Sequence, residues 1–321
     1  MGAGDQAQSN PALAADADRG TLMEKLLAQL ENIRVWEHGG ARAPHKPLLL
    51  LMALAAVQRG EPRLMPFALV EEDLTRLLAD FGPPRRSHHP EYPFWRLQND
   101  GDFWEIPERA ALEQRLPGRK RQGDLPPSIL HEVGAHGGFS TSAHELLSSH
   151  PEHVNQLTAR LLHAHFPPSM HEDILDAVQM PWVTVARARS RQPGFRDAIL
   201  RIYEHRCAVC GFDGRLGSSD LGIEAAHVRW HSKGGPDRED NGLALCVFHH
   251  KMLDRGALGL DDERRITVSQ HVHGGPEVHL LLIRFAGQPL RGPQRGAPPV
   301  AQPYIDWHAR EVFRGPARES A

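Results

Sequence analysis

All three cysteines of the chain fall where a single metal ion could use them. Cys207-Ala208-Val209-Cys210 presents two thiolates at the spacing with which a tight turn holds a tetrahedral zinc. Cys246-Val247-Phe248-His249 repeats that spacing with one imidazole, so a Cys3His set is completed from two pieces of chain. Four protein ligands leave no open position for water, so the zinc is expected to be structural, contributing folding energy to a small domain with a thin core. The competing reading makes Cys207 and Cys210 small core residues or a redox pair. The completed set, and the absence of a thioredoxin-like βαβ pattern, favour the metal.

Between the two half-sites run Ile223-Glu224-Ala225-Ala226-His227, then a polar, glycine-rich loop to Asn241, then Leu243 to His250. Hydrolysis of a phosphodiester needs a base to activate water and a cation to stabilise charge on the phosphate and the leaving oxygen. Imidazole titrates near neutral pH, so His227 suits the base. One histidine among 21 would be weak evidence, and the constellation carries the weight. His249 and His250 are adjacent in a predicted helix and so point about 100° apart, which lets one ligate zinc while the other faces a second metal. Asn241 offers both an amide donor and an acceptor, suited to pinning the loop that aims His227.

The order and spacing of His227, Asn241 and His250, framed by the cysteines, resemble the ββα-metal signature of HNH endonucleases. This resemblance implies a metal-dependent DNA endonuclease over residues 195–275, using a divalent cation, Mg2+ or Mn2+. Many members carry a metal-binding acid or histidine just before the base, where Ala226 stands here. Glu224, two residues earlier, shares that strand face and could join His250 at the catalytic metal. Asp254 lies on the same helix face as His250, either as a supporting group or as a plain surface carboxylate.

The elements that must position these residues form an α+β protein. Residues 1–19, without apolar periodicity, read as a disordered tail. Residues 20–178 read as a helical domain with a small sheet, 179–194 as a linker, 195–275 as the nuclease domain and 276–321 as a C-terminal extension. Helices are predicted from Leu22, from Lys46-Pro47 to Gly60, over Phe67–Ala79, Glu145–His150, Val154–His165, His171–Val178, Phe195–His205 and Tyr304–Phe313. The aromatic runs at Pro93–Leu97 and Phe103–Ile106, either side of Asn99-Asp100-Gly101, predict a β-hairpin. Their aromatic side chains are expected in the core. Gly137-Gly138-Phe139 reads as a loop.

Composition limits the partners. A formal charge of −3 excludes a uniformly basic surface, so any DNA contact must come from local patches. The longest apolar stretch, Leu48–Val57, is about half of the roughly 20 residues a membrane span needs, so it reads as a buried helix and no membrane is implied. Met1–Gly20 lacks the order of a signal peptide, and three cysteines cannot close a disulfide set, so a reducing cytoplasm is expected.

His45-Lys46-Pro47-Leu48-Leu49-Leu50, Tyr92-Pro93-Phe94-Trp95-Arg96-Leu97, Gly137-Gly138-Phe139 and His165–Leu175 occur in the order seen in the sulfur-binding domains fused to McrA-type HNH enzymes. The chain thus resembles phosphorothioate-dependent type IV restriction endonucleases. That resemblance implies cleavage of double-stranded DNA near sites where sulfur replaces a non-bridging phosphate oxygen. Sulfur is larger and less strongly hydrated than oxygen, so recognition calls for an apolar pocket with basic neighbours. Candidates are Arg85, Arg86, His88, His89, Pro90, Tyr92 and Pro93, then Phe139, Ser140 and Ala143. Arg187, Arg189, Arg191, Arg196, Arg201, Arg206, Arg229 and Lys233 are candidates for phosphate contacts, which position DNA without reading sequence. Rival readings are a methylcytosine-dependent HNH nuclease and a zinc-stabilised DNA-binding module without catalysis. One such site cuts one strand, so a homodimer is a possible state.

Overall fold

The computed structural model describes residues 11–34, 42–115, 125–180 and 193–319. Chain contacts divide them into two compact units, one drawn from Met1–Arg34, Leu49–Asp73 and His89–Thr158, the other from Val35–Leu48, Leu74–His88 and Ala159–Ala321. Helices and short antiparallel strands build both, the α+β class expected.

The first unit takes α1 (Pro11–Glu31), most of α2 (His45–Gln58), β1 (Leu64–Pro66), the start of α3 (Phe67–Phe81) and α4 (Glu91–Arg96). It continues with β2 (Trp104–Glu105), α5 (Arg109–Glu113), α6 (Pro127–Val133), β3 (His136–Phe139), α7 (Thr141–Ser149) and half of α8 (Pro151–His165). Every residue of α2 from Leu48 to Ala56 is buried, as expected of a helix apolar on all sides. No described helix is long and apolar enough to cross a membrane. In α3 the buried Phe67, Val70, Leu74, Leu77, Leu78 and Phe81 follow helical spacing along one face. Helix α1 begins at Pro11, so part of the expected tail is helical, while residues 1–10 lie outside the described residues.

Two expectations are corrected here. The hairpin over Pro93–Ile106 does not form: α4 runs into a 3-10 turn at Leu97–Asn99, and only Trp104–Glu105 is strand. The buried residues Glu91, Phe94 and Trp95 are spaced i, i+3, i+4, a helical face that two adjacent aromatics can share and an alternating strand cannot. Pro93 is tolerated because it sits in the first turn, where its missing N–H has no intrahelical acceptor. Gly101 does not take the positive φ that a two-residue hairpin turn needs. Conversely, Gly137-Gly138-Phe139 is no loop but most of β3, the middle strand in the order β1-β3-β2. A Cβ on Gly137 would stand 2.7 Å from the Phe94 ring, and one on Gly138 2.1 Å from the Arg63 carbonyl oxygen. The glycines are there for close approach. The hairpin aromatics are nonetheless core as expected, with Phe94, Trp95, Phe103 and Trp104 buried and Tyr92 half-buried.

The second unit carries α9 (His171–Ala177), α10 (Pro193–Ile202), β4 (Arg215–Leu216), β5 (Ser219–Asp220), β6 (Ile223–His227), β7 (Gly242–Cys246) and α11 (Val247–Asp254). Then follow β8 (Leu258–Leu260), β9 (Ile266–Val268), α12 (Pro276–Leu281) and α13 (Gln302–Glu311). Strands β6 and β7 pair antiparallel, with Ile223 opposite Cys246 and His227 opposite Gly242, and α11 follows β7 directly. Helix α10 buries Phe195, Ile199 and Leu200 in the same core as Ala226, Leu243 and Leu245. A Cβ on Gly242 would fall 2.2 Å from Ile199 Cδ1, so glycine is what lets α10 lie against the hairpin.

Candidate functional site

At one end of the β6–β7 hairpin the ligand atoms of Cys207, Cys210, Cys246 and His249 lie within 4.8 Å of one another. Cys207 Sγ is 3.6 Å and Cys246 Sγ 3.1 Å from His249 Nδ1, and Cys210 Sγ is 4.0 Å from Cys246 Sγ. A tetrahedron with zinc–sulfur arms of about 2.3 Å has edges of about 3.8 Å, so the four atoms suit that geometry. Short-range structure assembles them. The Ala208 N–H donates to the Ala244 carbonyl at 2.8 Å, tying the cysteine turn to β7, and Cys246 caps α11 so that His249 faces back. His249 Nε2 donates to the Leu281 carbonyl at 2.8 Å, which leaves Nδ1 as the ligand nitrogen. Hydrogen bonds from Cys210 and Cys246 hold the Cys207 thiol far below its ordinary range. Burial opposes charge on His249, yet the neighbouring Cys207 and Cys210 sulfurs outweigh it and push the imidazole up to about 9. Three sulfurs and one ring nitrogen gathered this closely fit a tetrahedral divalent cation.

At the other end, His227 closes β6. Its Nε2 lies 2.7 Å from Asp237 Oδ1, and its ring stacks on Phe195 with centroids 4.1 Å apart. With the proton on Nε2 donated to Asp237, Nδ1 is the acceptor. Burial lowers the His227 pKa, and Asp237 only partly offsets this, so the neutral imidazole is favoured. Asn241 is fully buried between the ends of the loop. Its Oδ1 accepts from the Arg229 N–H at 2.9 Å, and its Nδ2 donates to the Arg229 and Pro236 carbonyls, both at 3.0 Å.

Glu224 and His250 face one another from β6 and α11, with Oε2 2.8 Å from Nδ1. An oxygen and a nitrogen donor aimed at one place suit a hard divalent cation that completes its shell with water and phosphate oxygens. On the far side of the ring, His250 Nε2 lies 3.3 Å from the buried Asp254 Oδ2, which also accepts a hydrogen bond from the Ser169 hydroxyl. Burial alone would lower the His250 pKa, but Asp254 and Glu224 outweigh it and the net shift is upward. Sequence reasoning missed Asp237, Phe195 and Ser169. For Asp237 the only signal was a carboxylate inside the polar loop, and nothing local marked the other two.

The recognition candidates are placed less simply. Arg187, Arg189 and Arg191 lie outside the described residues. In the first unit, the His89 ring stacks on Tyr92 at 4.6 Å, with the Arg96 guanidinium 4.9 Å over the other ring and Glu91 2.9 Å from His89 Nδ1. Pro90 and Pro93 are buried. Phe139, packed edge-on to Trp104, and Ala143 are buried too, while Ser140 is half-buried at the start of α7. In the second unit Arg85 and Arg86 are exposed and His88 is half-buried, with Arg85 Nη2 3.0 Å from Glu311. Of the basic residues near the hairpin, Arg196 donates to the Ile223 carbonyl, Arg206 pairs with Glu204, and Arg229 donates to the Lys233 carbonyl. Lys233 Nζ is 3.2 Å from His165, and Arg201 is exposed.

Comparison with known proteins gives two family matches. Residues 23–181 match the ScoMcrA-like DNA sulfur-binding domain, and residues 207–261 match an HNH endonuclease family. Among solved structures, the sulfur binding domain of ScoMcrA complexed with phosphorothioated DNA matches at 22% identity and a TM-score of 0.41, over 48% of this chain and 94% of that one. The corresponding SprMcrA complex matches at 22% identity and a TM-score of 0.39, over 49% and 94%. The type IV phosphorothioation-dependent restriction endonuclease ScoMcrA matches at 24% and 0.39, over 47% of this chain but only 32% of that one. No curated protein matches.

Proposed function

Because the chain joins a ScoMcrA-like DNA sulfur-binding domain to an HNH endonuclease domain, we propose that it is a restriction nuclease that binds phosphorothioate DNA and hydrolyses phosphodiester bonds near the modification. The observation that carries the catalytic half is the convergence of His227, Asn241, Glu224 and His250 around one hairpin and one helix. His227 takes the proton of the attacking water on Nδ1, while Asp237 holds the ring through Nε2 and Phe195 supports its face. Asn241 clamps the loop, so that Asp237 and His227 keep their separation. Glu224 and His250 would hold a divalent cation, Mg2+ or Mn2+, which supplies Lewis-acid stabilisation of the phosphate and the leaving oxygen. Cys207, Cys210, Cys246 and His249 would hold a structural zinc that locks α11 to the hairpin.

In the recognition half, the His89–Tyr92–Arg96 stack pairs apolar ring faces with a cation, the chemistry a phosphorothioate calls for. Pro90, Pro93, Phe139, Ser140 and Ala143 of the first unit remain candidates for the recognition contact or its support, and Arg85, Arg86 and His88 of the second unit, like Arg187, Arg189 and Arg191, remain candidates for contacts to the DNA. A nuclease site of this kind cuts one strand, so a double-strand break requires a homodimer or two encounters. The test is cleavage of matched duplexes, phosphorothioate and plain, with Mg2+ or Mn2+ added. Cutting of the modified duplex alone is expected. Equal cutting of both removes the sulfur specificity, and no cutting with either metal makes the protein a binding module.

A further inference from the structure

Catalytic His250 carries two ring nitrogens with two different neighbours, Glu224 at Nδ1 and Asp254 at Nε2. For Nδ1 to serve as a metal ligand it must be unprotonated, so the proton belongs on Nε2, where only an acceptor is useful. The carboxylate nearest Nε2 is Asp254, whose Oδ2 lies 3.3 Å away in an ion-pair contact. Its side chain is 2% exposed, so its orientation is set by the few groups packed against it. Besides His250 the carboxylate has Trp230 and Ser169 as polar neighbours, and the Ser169 hydroxyl donates to the same oxygen, Oδ2, that faces His250.

Ser169 does not come from the nuclease family segment. It sits in a 3-10 turn, Pro168–Met170, inside the residues 23–181 that match the sulfur-binding family, yet it belongs to the same compact unit as α11. Nearby, Asp173 Oδ1 lies 2.7 Å from Lys251 Nζ, a second tie from this segment to α11 that touches neither Asp254 nor His250. We propose that Ser169 is a positioning residue for the nuclease. By fixing the Asp254 carboxylate it sets the tautomer and ring orientation of His250, so that a group supplied by the recognition segment completes the cation site of the cutting domain.

The inference rests on the reading of Glu224 and His250 as the cation pair, and the experiment separates the two. Mn2+ binding to the full-length, zinc-loaded protein is titrated without DNA, by electron paramagnetic resonance of the free ion. His250→Ala should abolish the site. Ser169→Ala should weaken Mn2+ binding by about 10-fold, the low end of the cost of losing a group that orients a metal ligand, because Ser169 acts through Asp254. Ser169→Thr keeps the hydroxyl and should restore it. Asp173→Asn loosens the neighbouring tie and should leave Mn2+ affinity unchanged. In cleavage, Ser169→Ala should raise the Mn2+ concentration for half-maximal rate while recovering most of the rate at saturating metal. An unchanged Mn2+ titration in Ser169→Ala, or an equal loss in Asp173→Asn, overturns the proposal and leaves the nuclease reading standing. Unchanged binding in His250→Ala overturns both.

Discussion

Replacing Asn241 by alanine tests the link between loop and base most directly. The side chain is wholly buried and makes three hydrogen bonds, one accepted from the Arg229 N–H and two donated to the Arg229 and Pro236 carbonyls. At about 1 kcal/mol net for each, the loss is about 3 kcal/mol, and more if the stranded backbone groups stay dry. A shift of that size lowers the melting temperature by about 6–12 °C in a unit of this order of size. Cleavage should fall more steeply than stability, because the freed loop carries Asp237, the partner that aims His227. Asn241→Asp sharpens the test. The shape is kept, but a carboxylate cannot donate, and it would face two carbonyl oxygens in a buried place, so it should be at least as damaging as alanine. Differential scanning calorimetry and plasmid cleavage on the same preparations supply both readings. An aspartate variant that melts and cuts like the wild type would refute the hydrogen-bond reasoning.

Elemental analysis should find one zinc per chain, and Cys246→Ser should lose it together with thermal stability; a zinc-free but fully stable wild type would discard the staple. His227→Ala should abolish cleavage while binding to modified DNA persists, because the imidazole acts on water rather than on affinity. In the wild type the acid limb of the rate–pH profile should lie below the ordinary histidine value of 6.5, since burial outweighs Asp237. Asp237→Asn removes the raising influence, so the limb should move to still lower pH while the rate drops; movement to higher pH would contradict the assignment. The full-length protein should bind a phosphorothioate duplex more tightly than its oxygen twin at moderate salt. Both duplexes carry the same net charge, so ionic contacts through Arg85 or Arg86 cannot discriminate, and equal affinity would refute the apolar contact.

What the sequence carried by itself was a candidate site written in short spacings. Cys207 to Cys210 and Cys246 to His249 are each one turn long, and the run from His227 through Asn241 to His250 spans a single hairpin and helix, so local geometry alone brings each group close. Longer helices such as α2 and α3 were legible because an apolar pattern repeated over several turns outweighs any single residue, whereas the short helices α4, α5, α6 and α12 were not. Pro93–Leu97 misled because β-propensity of aromatics is a statement about packing surfaces, and here that surface was a helix face. Gly137-Gly138 misled because glycine marks close approach as well as turns, and only the ring of Phe94 and the backbone of Arg63 say which. Only tertiary structure could decide what touches His227 and His250. Phe195 lies 32 residues before His227, and Ser169 reaches Asp254 across 85 residues. Contacts at such separations have no period in the chain; they exist because burial of the intervening elements brings those surfaces together.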